Sequence, residues 1–225
     1  MDQLTNKAVK GVVGLTVSLG LLIFLPAWTI HYWQGWAYLI AFCLPTLLIT
    51  LYLAKYDQEL LARRVDAGPS AETEKSQQYI QAITGLLALA LVIVSVIDWY
   101  QEWSRVSSLF SIIADGLILV GFYIVFRVFQ ENSYTIATIK VDTNQSVTTT
   151  GPYAIVRHPM YSGAFLIFIA TPPALGSYWA LLISILLTIG LGFRAVDEER
   201  FLVRNLQGYS NYCQTTKYRL IPFVW

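Results

Sequence analysis

The chain reads as an all-α integral membrane protein of about five to six transmembrane helices, the last two forming a C-terminal hairpin. Three observations predict this class. The residues are 56% hydrophobic and only 13% charged, against roughly a quarter charged in an ordinary soluble domain. Four apolar stretches each hold roughly 20 residues, which at ~1.5 Å rise per residue match a hydrocarbon core ~30 Å thick. The basic residues, finally, gather on one side of those stretches.

The four stretches are residues 9–30, 33–54, 79–100 and 109–129. No small-residue cleavage site follows the first, so a retained helix is expected rather than a signal peptide. A fifth apolar region, residues 161–193, is broken by Thr171-Pro172-Pro173 and Gly176-Ser177. Proline removes a helix hydrogen bond and clashes with the preceding turn, so this region predicts a hairpin with one or both helices short or tilted. With that connectivity both termini share a face. Fourteen of the 15 basic residues lie on it and Arg105 alone on the other, so the positive-inside rule places both termini in the cytoplasm. Trp28, Trp33, Trp36, Trp99, Trp103 and Trp179 all fall at the opposite ends of the spans, as an interfacial belt requires.

Between the spans, residues 57–65 pattern as an amphipathic surface helix ended by Ala67-Gly68-Pro69-Ser70, with a solvated linker as the alternative. Residues 130–160 form a second polar segment. Its part 141–150 is rich in β-branched and hydroxyl residues and favours extended backbone. Gly151-Pro152 marks a turn, and Pro159 suits the first position of the next helix with His158 in the capping place. A long irregular segment at a membrane face is functional or disordered, and the aromatic, hydroxyl and basic mix here argues for function. The chain thus divides into an N-terminal membrane region, residues 1–130, and a C-terminal functional region, residues 131–225.

Other classes find little support. A net charge of +1 offers nothing to nucleic acid. Cys43 and Cys213 fall at different depths and are not expected to pair. No His, Cys and carboxylate cluster suggests a metal, and there is no phosphate-binding loop. Asp115, inside the fourth stretch, is a functional candidate because intramembrane carboxylates are costly; satisfaction by Ser111 or Tyr123 is the structural alternative.

The run from Gly151 through Gly163, Gly-Pro-Tyr-Ala-Ile-Val-Arg-His-Pro-Met-Tyr-Ser-Gly, continues to Asp197-Glu198-Glu199-Arg200, Gly208-Tyr209, Tyr212 and Ile221-Pro222-Phe223. These blocks, in this order, resemble the isoprenylcysteine carboxyl methyltransferase family, membrane enzymes that use S-adenosylmethionine and are related to phospholipid N-methyltransferases. The resemblance covers roughly the last 90 residues; the earlier spans share only their hydrophobicity. The step from the Glu pair to Gly208-Tyr209 is one residue shorter than in the family. What the resemblance implies is a cytoplasmic cofactor pocket against the membrane. Gln145, Ser146, Val147 and Thr148 would give backbone contacts to the cofactor. Tyr153, His158, Pro159, Met160, Tyr161 and Glu198 would complete its site, and Arg194 would be the catalytic-site arginine that contacts the acceptor.

The residue types suit that chemistry. S-adenosylmethionine carries a sulfonium, an ammonium and ribose hydroxyls, which a carboxylate and aromatic faces attract. Methyl transfer to a carboxylate needs no base, only placement and exclusion of water, and an arginine fork holds a carboxylate well. An acceptor that is lipophilic, amphipathic or lipidated follows, with an isoprenylcysteine-type carboxylate favoured over a phospholipid amine or small thiol. Other readings stay open. Arg194 and Glu198 also suit a helix-surface ion pair worth ~0.3–0.5 kcal/mol, His158 a helix cap, Tyr153 and Tyr161 interfacial anchors, and Arg157 a structural or headgroup contact. An NADPH-dependent reductase of the steroid reductase type, using Arg157, Lys217 and Arg219, and a non-enzymatic membrane protein are the rivals.

Overall fold

The computed structural model describes residues 2–65, 75–135 and 146–225. Among these, every regular element is helical. They are α1 (Gln3–Ala27), α2 (Trp33–Tyr56), α3 (Gln58–Val65), α4 (Lys75–Tyr100), α5 (Ser108–Glu131), a 3-10 turn (Gly151–Ala154), α6 (Pro159–Ala174), α7 (Leu181–Asn205) and α8 (Tyr209–Thr215). The all-α reading holds. α1, α2, α4 and α5 are long and apolar enough to cross a membrane. They coincide with the four stretches read from the sequence to within a turn or two.

Local chemistry sets the ends. Asp2 caps α1, accepting from Thr5 N–H at 2.7 Å, and Asp57 accepts from Leu60 N–H at 2.9 Å to start α3; both satisfy donors that an open helix end leaves orphaned. α3 is the expected amphipathic helix. It buries Leu60 and Leu61 against Ala8, Leu53 and Phe129, which seats it beneath α1, α2 and α5. The stretch expected to end it, residues 67–70, lies outside the described residues, as does most of the expected extended stretch 141–150.

The hairpin forms, with a short α6 of 16 residues and a long α7 of 25. Pro172 and Pro173 sit in the last turn of α6, not before a break. Pro172 has no N–H to offer Phe168 O one turn back, and that carbonyl instead accepts from Ser184 Oγ of α7 at 2.7 Å. Pro173 O accepts from Ser111 Oγ of α5 at 2.9 Å. Pro172 thus frees a carbonyl that ties the two arms of the hairpin together, and the Pro173 carbonyl, at the end of α6, ties the hairpin to α5.

Ser111 is thus committed to Pro173 and does not satisfy Asp115, whose Oδ1 is buried with no hydrogen-bond partner among the described residues. A second carboxylate, Asp98, is more important to the fold than its sequence position indicated. It is fully buried. Its Oδ2 accepts from Ser104 Oγ at 2.7 Å, from Ser177 Oγ at 2.5 Å and from Trp179 N–H at 3.2 Å. This ties the end of α4 to the α6–α7 turn, at the tryptophan-rich end of the bundle.

The core draws on both sides of position 130. Ile23, Tyr38, Val96, Ile118 and Ala174 share one cluster. α5 and α6 meet backbone to backbone. A Cβ on Gly121 would stand 2.8 Å from Gly163 O, and one on Gly163 2.7 Å from Gly121 O, so only small residues allow this approach. Large apolar side chains such as Leu21, Ile40, Leu86, Leu117 and Leu186 point outward, a pattern that lipid tails solvate. The close α5–α6 contact delivers the start of α6 to the end of the bundle away from the tryptophans, where the polar segments collect.

Candidate active site

At that end lies a cavity of ≈570 Å³, within the range of small-molecule sites. Helical periodicity explains which residues reach it. Leu191, Arg194, Glu198 and Leu202 form one stripe of α7 along the cavity, spaced three and four apart. Ala195 and Glu199, one position on, turn away and are buried. On α6 the stripe is Met160, Tyr161, Ala164, Ile167 and Phe168. Ile80 and Thr84 of α4 and Leu191 of α7 give an apolar wall, while the polar end holds Asn132, Tyr153, His158, Tyr161, Arg194 and Glu198.

The two adjacent glutamates have different surroundings. Glu198 Oε2 accepts from Tyr161 Oη at 2.6 Å, and Tyr161 Oη accepts in turn from Arg194 Nε at 3.0 Å. Glu198 is part-exposed to the cavity, whereas Glu199 is nearly closed off. Glu199 Oε1 accepts from Arg157 Nε at 2.6 Å and Oε2 from Arg219 Nε at 2.8 Å, and His158 Nε2 stands 3.3 Å from Oε1. Burial pushes the Glu199 carboxyl up, but the adjacent His158 imidazole and the hydrogen bonds from Arg157 and Arg219 outweigh it and hold it at about 2.

Arg157 completes this knot by donating from Nη1 to Thr216 O at 2.8 Å and Lys217 O at 3.0 Å. Arg157 N–H donates to Tyr218 O and His158 N–H to Arg219 O, both at 2.9 Å, so the C-terminal tail is stitched along the start of α6. The 3-10 turn is fixed at its other side. Gly151 takes φ 58, and a Cβ there would meet the Glu131 side chain at 2.6 Å; Thr150 Oγ1 donates to Glu131 Oε2 at 2.8 Å.

Of the residues singled out from the sequence, Ser146, Val147, Thr148, Tyr153, His158, Pro159, Met160, Tyr161, Arg194 and Glu198 all line the one cavity; Gln145 lies outside the described residues. Pro159 opens α6 as expected, but His158 does not cap it by its side chain. Its ring stacks on Tyr161, centroids 5.5 Å apart, and reaches between the glutamates, because the imidazole is drawn to two carboxylates instead of a helix end. Arg157 is the structural contact that was one of its two readings. Tyr209 and Tyr212, despite the shortened spacing, stand on α8 against the cavity. Tyr212 Oη donates to Tyr153 O at 2.7 Å, and Tyr209 Oη is buried with no hydrogen-bond partner among the described residues.

Four contributors were not legible. Asn132 donates to Tyr153 Oη at 3.1 Å and was hidden as one polar residue at a helix end. Gln81 and Thr84 sit just inside the third apolar stretch, where their spacing carried a signal only once a partner helix was known. Arg64 also lines the cavity, although the amphipathic pattern of α3 gave its helix and not its neighbours.

Residues 109–208 match the model of the phospholipid methyltransferase family. The match runs from α5 to the residue before α8, so it takes in Tyr153, the His158–Tyr161 box, Arg194 and Glu198. It stops short of Tyr209 and Tyr212, which line the cavity, and of the tail that accepts from Arg157. No curated protein matches the chain. Together with four helices apolar and long enough to span a bilayer, the match supports a membrane methyltransferase; the matched family is related to the isoprenylcysteine carboxyl methyltransferases.

Proposed function

We propose that the chain is an S-adenosylmethionine-dependent methyltransferase of the membrane, with its active site and both termini in the cytoplasm, acting on a lipophilic or amphipathic acceptor. One observation carries this reading. A single cavity joins a polar, aromatic end (Tyr153, His158, Tyr161, Glu198) to an apolar wall made by membrane helices (Ile80, Ile167, Phe168, Leu191). The donor set fits the cofactor. Glu198 offers a carboxylate to an ammonium or ribose hydroxyl, aromatic faces suit a cation, and the orphaned Tyr209 hydroxyl seeks a polar partner. When bound, S-adenosylmethionine supplies an electrophilic methyl group. The chain's own residues bind, orient and exclude water.

Within this class the favoured acceptor is an isoprenylcysteine-type carboxylate. It arrives already ionised, and the cavity wall carries arginine side chains to hold it. A phospholipid amine is the second reading, favoured by the family that residues 109–208 match; His158, between two glutamates, would then be the group placed to take its proton. The reductase reading loses ground because Arg157 and Arg219 are both spent on Glu199.

Incubating the purified protein with methyl-labelled S-adenosylmethionine and membrane lipid extract should move label into the organic phase. Label released as methanol by mild base identifies a methyl ester and hence a carboxylate acceptor; base-stable label identifies an amine or thiol. Absence of transfer to every lipid fraction would count against the reading.

A further inference from the structure

Arg64 stands apart from the other cations of the cavity. Arg157 is paired with Glu199, and Arg194 is drawn into the Glu198–Tyr161 relay. Arg64, half-buried on α3, lies with its guanidinium over the Phe129 ring, 5.1 Å from the centroid. No described carboxylate pairs with it. Burial alone lowers its pKa from the ordinary arginine value, yet a guanidinium stays charged in a protein. Taking a charge out of water is unfavourable unless an opposite charge meets it. A ring face compensates in part, and the guanidinium, which borders the cavity, brings N–H donors suited to a planar or tetrahedral oxyanion. Beside Arg64 the cavity wall is apolar, with Val125 and Met160 leading to Ile167 and Phe168.

Building on the methyltransferase reading, we infer that Arg64 is the anion subsite for the acceptor, and that the acceptor is an anionic amphiphile whose carboxylate or phosphate meets Arg64 while its chain lies on the apolar wall. The placement favours the acceptor over the cofactor. The residues fitted to the cofactor belong to 146–161, α7 and α8, whereas Arg64 comes from α3, which is anchored on α1, α2 and α5 through Leu60 and Leu61. An arginine turned only toward bulk lipid headgroups would not line the cavity.

The test uses the purified full-length chain in neutral detergent and three probes that share one chain length: dodecanoate, dodecyl phosphate and dodecanol. The wild type should bind at least one anionic probe about tenfold more tightly than dodecanol, and whichever anion binds better names the headgroup. Arg64→Gln should abolish that preference, and Arg64→Lys should restore part of it, because lysine keeps the charge and loses the fork. S-adenosylhomocysteine affinity should change less than about threefold in both variants. The inference is overturned if Arg64→Gln keeps the anion preference. It is equally overturned if that variant loses S-adenosylhomocysteine binding instead, which would give Arg64 to the cofactor's carboxylate. Arg64→Lys guards against a loss that merely reflects a loosened α3, since restored preference requires a folded site. A wild type that shows the Arg64-dependent preference but no S-adenosylhomocysteine binding would uphold the subsite and sink the methyltransferase reading alone.

Discussion

Glu199→Ala is expected to be the most destabilising single substitution at the site, costing about 3–5 kcal/mol. Removing this carboxylate leaves Arg157 buried without its charge partner while its Nη1 still holds Thr216 O and Lys217 O. It also frees Arg219, whose guanidinium lies over the Trp225 ring. In a chain of this size the loss corresponds to a fall of ~6–20 °C in the thermal midpoint, and the tail after α8 should become the first site of limited proteolysis. A variant that unfolds within a degree of wild type would mean that the Arg157–Glu199–Arg219 knot contributes little.

The same knot gives a pH signature. The folded carboxyl is held at about 2, below its ordinary value of 4.5. As pH falls the unfolded chain therefore takes up the proton first. The contribution of Glu199 is complete above about pH 4.5 and is lost as pH drops toward 2. Wild type should lose stability through that window more steeply than Glu199→Gln, and parallel curves would remove the carboxylate from the account.

Glu198→Gln should leave the fold intact and weaken S-adenosylhomocysteine binding roughly 10- to 150-fold, the loss expected for a charge-assisted hydrogen bond of about 1.5–3 kcal/mol. Glu198 is part-exposed on the cavity wall, and a glutamine oxygen can accept the 2.6 Å bond that Tyr161 Oη donates to it. The thermal midpoint of the free protein is accordingly expected to stay near wild type. Unchanged affinity would show that the cofactor's polar groups are met elsewhere.

The contrast between these neighbours shows what the sequence could and could not disclose. Spans were legible because hydropathy is a property of composition over twenty residues and needs no knowledge of neighbours. The hairpin was legible because proline chemistry is local, although the exact place of Pro172 and Pro173 depended on Ser184 and Ser111 taking up freed carbonyls from other helices. The site was legible only as far as the resemblance reached. Ser146 to Thr148, Tyr153, His158 to Tyr161, Arg194 and Glu198 do converge on one cavity, but spacing alone could not say which glutamate faces it. Adjacent positions on a helix differ by ~100°, and the environment on each side is set by segments far along the chain. Asp98 makes the same point. Its partners Ser104, Ser177 and Trp179 come from two other segments, and nothing near position 98 announces them. Arg64 is the extreme case, a residue of a surface-patterned helix whose meaning comes wholly from the cavity it borders.

The central claim is that this cavity holds S-adenosylmethionine, and calorimetric titration of the purified wild-type chain with S-adenosylhomocysteine and, separately, with NADPH tests it most directly. Saturable binding of S-adenosylhomocysteine, with NADPH giving no heat beyond dilution, is the predicted result; tight binding of NADPH with none of S-adenosylhomocysteine would contradict it.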